Sequence, residues 1–114
     1  MKTRRDLCDR ALDNLGVLDA GQSAEVEDLA SVDSFVETTI DDLRERDVFY
    51  FPDTEEFDSS VFEDLAVCLA SNARHKFGLA GDPRLPASAL NAEKNLRIKS
   101  AQGPTYQTAK TVYF

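Results

Sequence analysis

Cys8, Cys68 and the single histidine, His75, are the residue types best suited to nucleophilic or metal chemistry in this chain. His75 follows Cys68 by seven positions, which on a helix returns to nearly the same face, so the two can share a metal ion. A structural zinc site needs four ligands, and two cysteines with one histidine cannot fill it without carboxylate help. Both cysteines fall instead in apolar helical patterns, where a free thiol packs as a small hydrophobe. That usage agrees with a reducing, intracellular assembly environment. Acidic neighbours offer the other route to chemistry: Glu37 with Asp41, Asp41 with Asp42, Glu55 with Glu56. Glycoside hydrolysis or two-metal phosphodiester cleavage needs two or three carboxylates converging in a cleft. Here the acids run along a helix face or lie in a loop, the arrangement of a solvated surface. No glycine-rich phosphate loop, nucleophile elbow or catalytic-triad arrangement is present. The expectation is a protein that is not an enzyme and uses no metal or cofactor.

Two aromatic groups stand out beside these polar candidates. Phe49, Tyr50 and Phe51 are consecutive, and Tyr106, Tyr113 and Phe114 fall in the last ten residues. Large aromatics either complete a core or anchor a partner, because they dominate interface energetics. Both outcomes are open for both groups. A terminal tail seldom keeps three aromatics unless they dock somewhere.

Composition sets the frame for these residues. A chain of 114 residues makes about one domain and can bury a single core. Twenty-one acidic against 13 basic residues leave a net charge of −8, which opposes non-specific DNA binding through phosphate neutralisation. The charge is uneven: residues 1–81 carry 19 acids and 8 bases, residues 82–114 carry 2 acids and 5 bases. Such asymmetry suggests that the two ends meet different partners. The longest uncharged stretch is far short of a membrane span and the N-terminus carries no apolar signal core, so no membrane association is expected.

Helical periodicity supplies four segments to position these residues. The first runs from about Thr3 to Leu15, with Leu7, Cys8, Ala11, Leu12 and Leu15 on one face. Thr3 with Asp6 forms a capping-box pattern and Gly16 a left-handed stop. A long second helix is predicted from an N-cap at Ser23 to near Arg46, its stripe formed by Val26, Leu29, Val32, Val36, Ile40 and Leu43. Val48 to Phe51 reads as a short extended segment broken by Pro52. Asp58 caps a third helix over Ser59–Phe77, apolar nearly all round and therefore either central or sandwiched between subunits. A fourth runs from about Pro86 to Ala101. Its thin apolar set is Leu85, Ala89, Leu90 and Leu96, with Lys94, Arg97 and Lys99 as exposed candidates. The fold class expected is all-α: a small antiparallel bundle of about four helices over residues 1–101, then an extended C-terminal arm over 102–114.

The order of these features resembles a known family. Thr3-Arg4-Arg5-Asp6-Leu7, continuing through Ala11-Leu12 and Leu15-Gly16-Val17, is similar to the N-terminal helix of tailed-phage head-completion proteins. These are also called head–tail connector, adaptor or packaged-DNA stabilisation proteins. The likeness continues through the acidic second helix, the Val48–Phe51 step and His75-Lys76-Phe77-Gly78-Leu79. It extends to Gly81-Asp82-Pro83 and to the Pro104-Thr105-Tyr106 tail ending in Tyr113-Phe114, covering nearly the whole chain.

The resemblance implies a structural virion protein at the head–tail junction, made and assembled in the host cytoplasm. Such proteins look like small helical bundles that form a homo-oligomeric ring, commonly of twelve copies, beneath the portal ring. The ring extends the DNA channel, helps retain the packaged genome and offers a surface to the tail or stopper protein below. DNA passes through without sequence-specific binding. By position, the arm that reaches along the portal is residues 102–114, with Pro104, Thr105, Tyr106, Val112, Tyr113 and Phe114 as the contact residues. Glu37, Asp41 and Asp42 are the candidates to line the channel, where like charge keeps phosphate from sticking. Phe49, Tyr50 and Phe51 are candidates for the contact between subunits. The alternative is a small helical regulatory or DNA-binding domain. It would require the fourth helix to present Lys94, Asn95, Arg97 and Lys99 as a recognition surface.

Overall fold

The computed structural model describes residues 1–16 and 25–102. It is an all-α bundle with one two-residue strand pair. The elements are β1 (Lys2–Thr3), α1 (Arg4–Leu15), α2 (Val26–Asp33), α3 (Val36–Glu45), β2 (Glu56–Phe57), α4 (Ser59–Ala73) and α5 (Arg84–Gln102), with a 3-10 turn over Arg74–Phe77 following α4.

α1 starts where the capping pattern predicts. The Thr3 hydroxyl accepts from the Asp6 amide at 3.1 Å, and the Asp6 carboxylate accepts from the Thr3 amide at 3.1 Å. These bonds, the Thr3 amide foremost, hold the Asp6 carboxyl below the usual carboxylate range. Gly16, at φ +74°, ends the helix in the left-handed conformation. The strand pair was not predicted: β1 and β2 run antiparallel, with Lys2 opposite Phe57 and Thr3 opposite Glu56. The Arg4 amide extends the pair by donating to the Glu55 carbonyl at 2.9 Å. This places the start of α1 beside the start of α4, which Asp58 caps by accepting from the Ser60 amide at 2.9 Å.

The long second helix is corrected to two. α2 begins at Val26 after Glu25, which makes no side-chain cap, and the chain turns at Ser34 and Phe35 before α3 begins. Ser23 lies outside the described residues. At the break, the Ser34 hydroxyl donates to the Ser31 carbonyl at 2.6 Å. Arg4 grips the last residue of α2: its Nε donates to the Asp33 carboxylate at 2.6 Å and its Nη2 to the Asp33 carbonyl at 3.4 Å. A carbonyl released by the end of the helix is thereby satisfied. The apolar stripe continues across the break through Val32, Val36, Ile40 and Leu43, all buried, with Leu29 half-buried; Val26, counted in the stripe from sequence, is corrected to an exposed residue.

α4 is the centre of the molecule. It packs extensively against α1 and α5 and is touched by α2 and α3. Val61, Phe62, Leu65, Ala66, Cys68, Leu69, Ala70 and Ala73 are all buried, as expected for a helix apolar nearly all round. α5 lies antiparallel to α4: Lys99, near its C-terminal end, reaches the Ser60 carbonyl and the Asp64 carboxylate near the start of α4. Its buried face is Leu85, Ala89, Ala92 and Leu96. Leu90, assigned to the core from sequence, is corrected: it is 64% exposed.

Candidate interaction surfaces

Three surfaces follow from this packing. The first is the outer face of α3. Glu37, Asp41 and Asp42 are exposed there, all on the side turned away from Val36, Ile40 and Leu43. None of the three stands alone. Glu37 sits 3.4 Å from Arg4, Asp41 2.9 Å from Arg44, and Asp42 2.7 Å from Arg46. The Arg46 guanidinium also forks onto Glu93 of α5 with both contacts at 3.0 Å, so it ties α3 to α5. The acidic face is therefore laced with arginines, each of these three carboxylates being held in an ion pair. Among the described residues, no group of three or more His, Cys, Asp and Glu side chains is placed to hold a metal ion.

The aromatic step is divided between core and surface. Phe49 and Phe51 are 4% and 5% exposed, with ring centroids 4.7 Å apart, and Phe51 meets Phe57 edge-on at 6.3 Å. Both rings are taken up by the protein's own core, so as subunit contacts they are corrected to core residues. Tyr50 alone of the three is exposed. Pro104, Thr105, Tyr106, Val112, Tyr113 and Phe114 lie outside the described residues. α5 runs up to Gln102, just before them.

The second and third surfaces were read only in part from the sequence, which gave Lys94 and Arg97 as exposed but placed Leu90 and Val26 in the apolar sets of their helices. On α5, Leu90 and Ile98 are exposed large hydrophobics, flanked by the exposed Lys94 and Arg97. Positions 90, 94, 97 and 98 follow the helical repeat and make one outward stripe. On α2, Val26 is 81% exposed, and Glu25, Glu27 and Ala30 are exposed beside it. The fourth-helix recognition surface is not formed as the alternative requires. Asn95 donates to Asp64 at 3.4 Å and Lys99 pairs with the same carboxylate at 2.9 Å, so these two turn toward α4. Lys94 and Arg97 are the bases that remain outward.

Both thiols are buried and free. Desolvation, followed by the charge of Asp33, pushes the Cys8 thiol up to about 12; desolvation, followed by the charge of Glu93, does the same to Cys68. Such thiols are protonated and inert at neutral pH. His75 stacks edge-on against Phe35 with centroids 5.5 Å apart, which gives it a packing role in the 3-10 turn. The residue that sequence reasoning missed most completely is Arg4. It gathers Asp33, Glu37 and Glu55 from three elements, and these partners, Asp33 foremost, hold its guanidinium firmly charged. No periodicity signals a residue at a helix start whose partners lie 29 to 51 positions away. No protein-family model, curated protein or solved structure matches this chain.

Proposed function

We propose that this chain is a connector subunit of a tailed-phage particle, one copy of a homo-oligomeric ring beneath the portal. The observation that carries the reading is the order of its sequence features. The Thr3–Leu7 helix start, acidic helices, aromatic step, His75–Leu79 stop and aromatic C-terminal segment follow one another as in head-completion proteins. A small helical bundle with α5 leading toward the aromatic segment is compatible with that likeness. In this reading the ring extends the DNA channel, retains the packaged genome and receives the tail or stopper protein. The acidic α3 face, with Glu37, Asp41 and Asp42, lines the channel, and residues 102–114 hold the portal. Its arginine lacing moderates the charge but leaves acids in excess, which suits a wall that DNA must slide past.

The regulatory or DNA-binding alternative is disfavoured because Asn95 and Lys99, two of the four residues it requires, are engaged by Asp64, and by the net charge of −8. Size-exclusion chromatography with light scattering tests the proposal. The full chain, a truncation ending at Gln102, and a purified portal ring are combined. A stoichiometric complex lost on truncation is expected. A full-length chain that ignores the portal would overturn the connector reading.

A further inference from the structure

The stripe on α5 has an unusual charge state within its own molecule. Arg4, Arg5, Arg10, Arg44, Arg46 and Arg84 each hold a carboxylate, and Arg74 holds the Ser71 carbonyl at 2.5 Å. Arg97 is the one arginine among the described residues without such a partner, and its neighbour Lys94 is equally unpaired. Both flank exposed Leu90 and Ile98. An arginine and a lysine beside two exposed aliphatic side chains make a surface suited to an acidic partner with an apolar centre.

The outer face of α2 has that composition. Val26 and Ala30 lie one turn apart, and Glu25 and Glu27 stand on either side of Val26 without ion-pair partners among the described residues. The α5 stripe rises roughly 12 Å from Leu90 to Ile98, and the α2 face, roughly 6 Å from Val26 to Ala30, covers part of that length. We infer that the α5 stripe of one copy docks on the α2 face of a second copy, Leu90 and Ile98 meeting Val26 and Ala30 while Lys94 and Arg97 meet Glu25 and Glu27. The two surfaces are unlike, so the contact is heterologous and each copy keeps one of each free to bind the next. A chain of such contacts makes a ring when the rotation closes. The inference rests on the connector reading and names the contact that reading requires between subunits. One helix stripe buries little area, so the isolated pair is weak, and copies gathered on a portal gain from effective concentration.

Intermolecular paramagnetic relaxation tests this on the full chain. A copy without isotope enrichment carrying a spin label at Ala87→Cys, exposed one turn before Leu90, is mixed with an isotope-labelled, label-free copy at high concentration and low salt. The buried native thiols do not take the label. Broadening of the α2 amides around Val26 to Ala30 in the second copy is expected, and salt should weaken it. Glu25→Lys with Glu27→Lys in the isotope-labelled copy should abolish the broadening. Pairing that copy with a labelled partner carrying Lys94→Glu should restore part of it, which a merely unfolded variant cannot do. Broadening on α5 itself, or none at all, overturns the inference, as does duplex DNA shifting the Lys94 and Ile98 amides in preference to a second copy. Loss of this contact with portal binding retained sinks the docking inference alone. The contact without portal binding sinks the connector reading alone.

Discussion

Cys8 and Cys68 show how burial turns a reactive residue type into packing material. Each thiol titrates near 9.0 when free and is pushed up to about 12 in the fold, first by desolvation and then by nearby carboxylates. A group whose pKa is raised by folding supports the fold fully below its unfolded value and surrenders that support as pH rises toward the folded one. The urea midpoint should therefore stay level through neutral pH and fall between pH 9.0 and about 12. Cys8→Ala with Cys68→Ala should flatten that alkaline fall; an unchanged slope would show that other groups cause it. Burial of the two thiols was legible because each sits among apolar residues at helical spacing. The environment of Arg4 was not, because an ion-pair network depends on which elements the fold brings together.

At the scale of elements, local signals were read well where the chain carries its own stop or start. The Thr3–Asp6 box, Gly16 and Asp58 all act as their residue types predict. The break between α2 and α3 escaped because it preserves the buried stripe: periodicity reports which face is apolar, not whether the backbone is continuous. The end of α3, at Glu45, falls where the sequence predicts it, near Arg46, although no glycine marks it. Its terminus is a Schellman motif, with the Val48 amide donating to the Leu43 carbonyl at 2.9 Å and the Asp47 amide to the Arg44 carbonyl at 3.1 Å. The left-handed position is held by Asp47, at φ 56°, where glycine is usual. Buried Leu43 and Val48 supply the apolar contact that accompanies the motif. Asp47→Gly should then stabilise the protein by up to about 1 kcal/mol by relieving the left-handed strain. Thermal unfolding should show a raised Tm, and a lowered one would mean that the Asp47 side chain contributes more than its backbone costs.

Across the whole molecule, α4 decides what is inside. With α1 and α5 packed on it, one helix serves both halves of the core, so a residue's distance from α4 matters more than its hydrophobicity. Leu90 and Ala92 make the point within a single helix: the larger side chain is exposed and the smaller one is buried. Ala92 lies on the side of α5 that faces α4, whereas Leu90, counted in the helix's apolar set from sequence, lies on the opposite side. The same substitution at two leucines separates these roles. Leu69 is fully buried in α4, so Leu69→Ala should cost about 2–5 kcal/mol from lost transfer energy and the residual cavity. Against a total stability of about 5–15 kcal/mol, that leaves a marginal protein. Leu90→Ala, on the exposed face of α5, should change stability by less than about 0.5 kcal/mol. Urea denaturation of both variants checks the contrast. Equal costs would mean that Leu90 is covered in solution, and because its proposed cover is a second copy, the excess cost should then vanish on dilution.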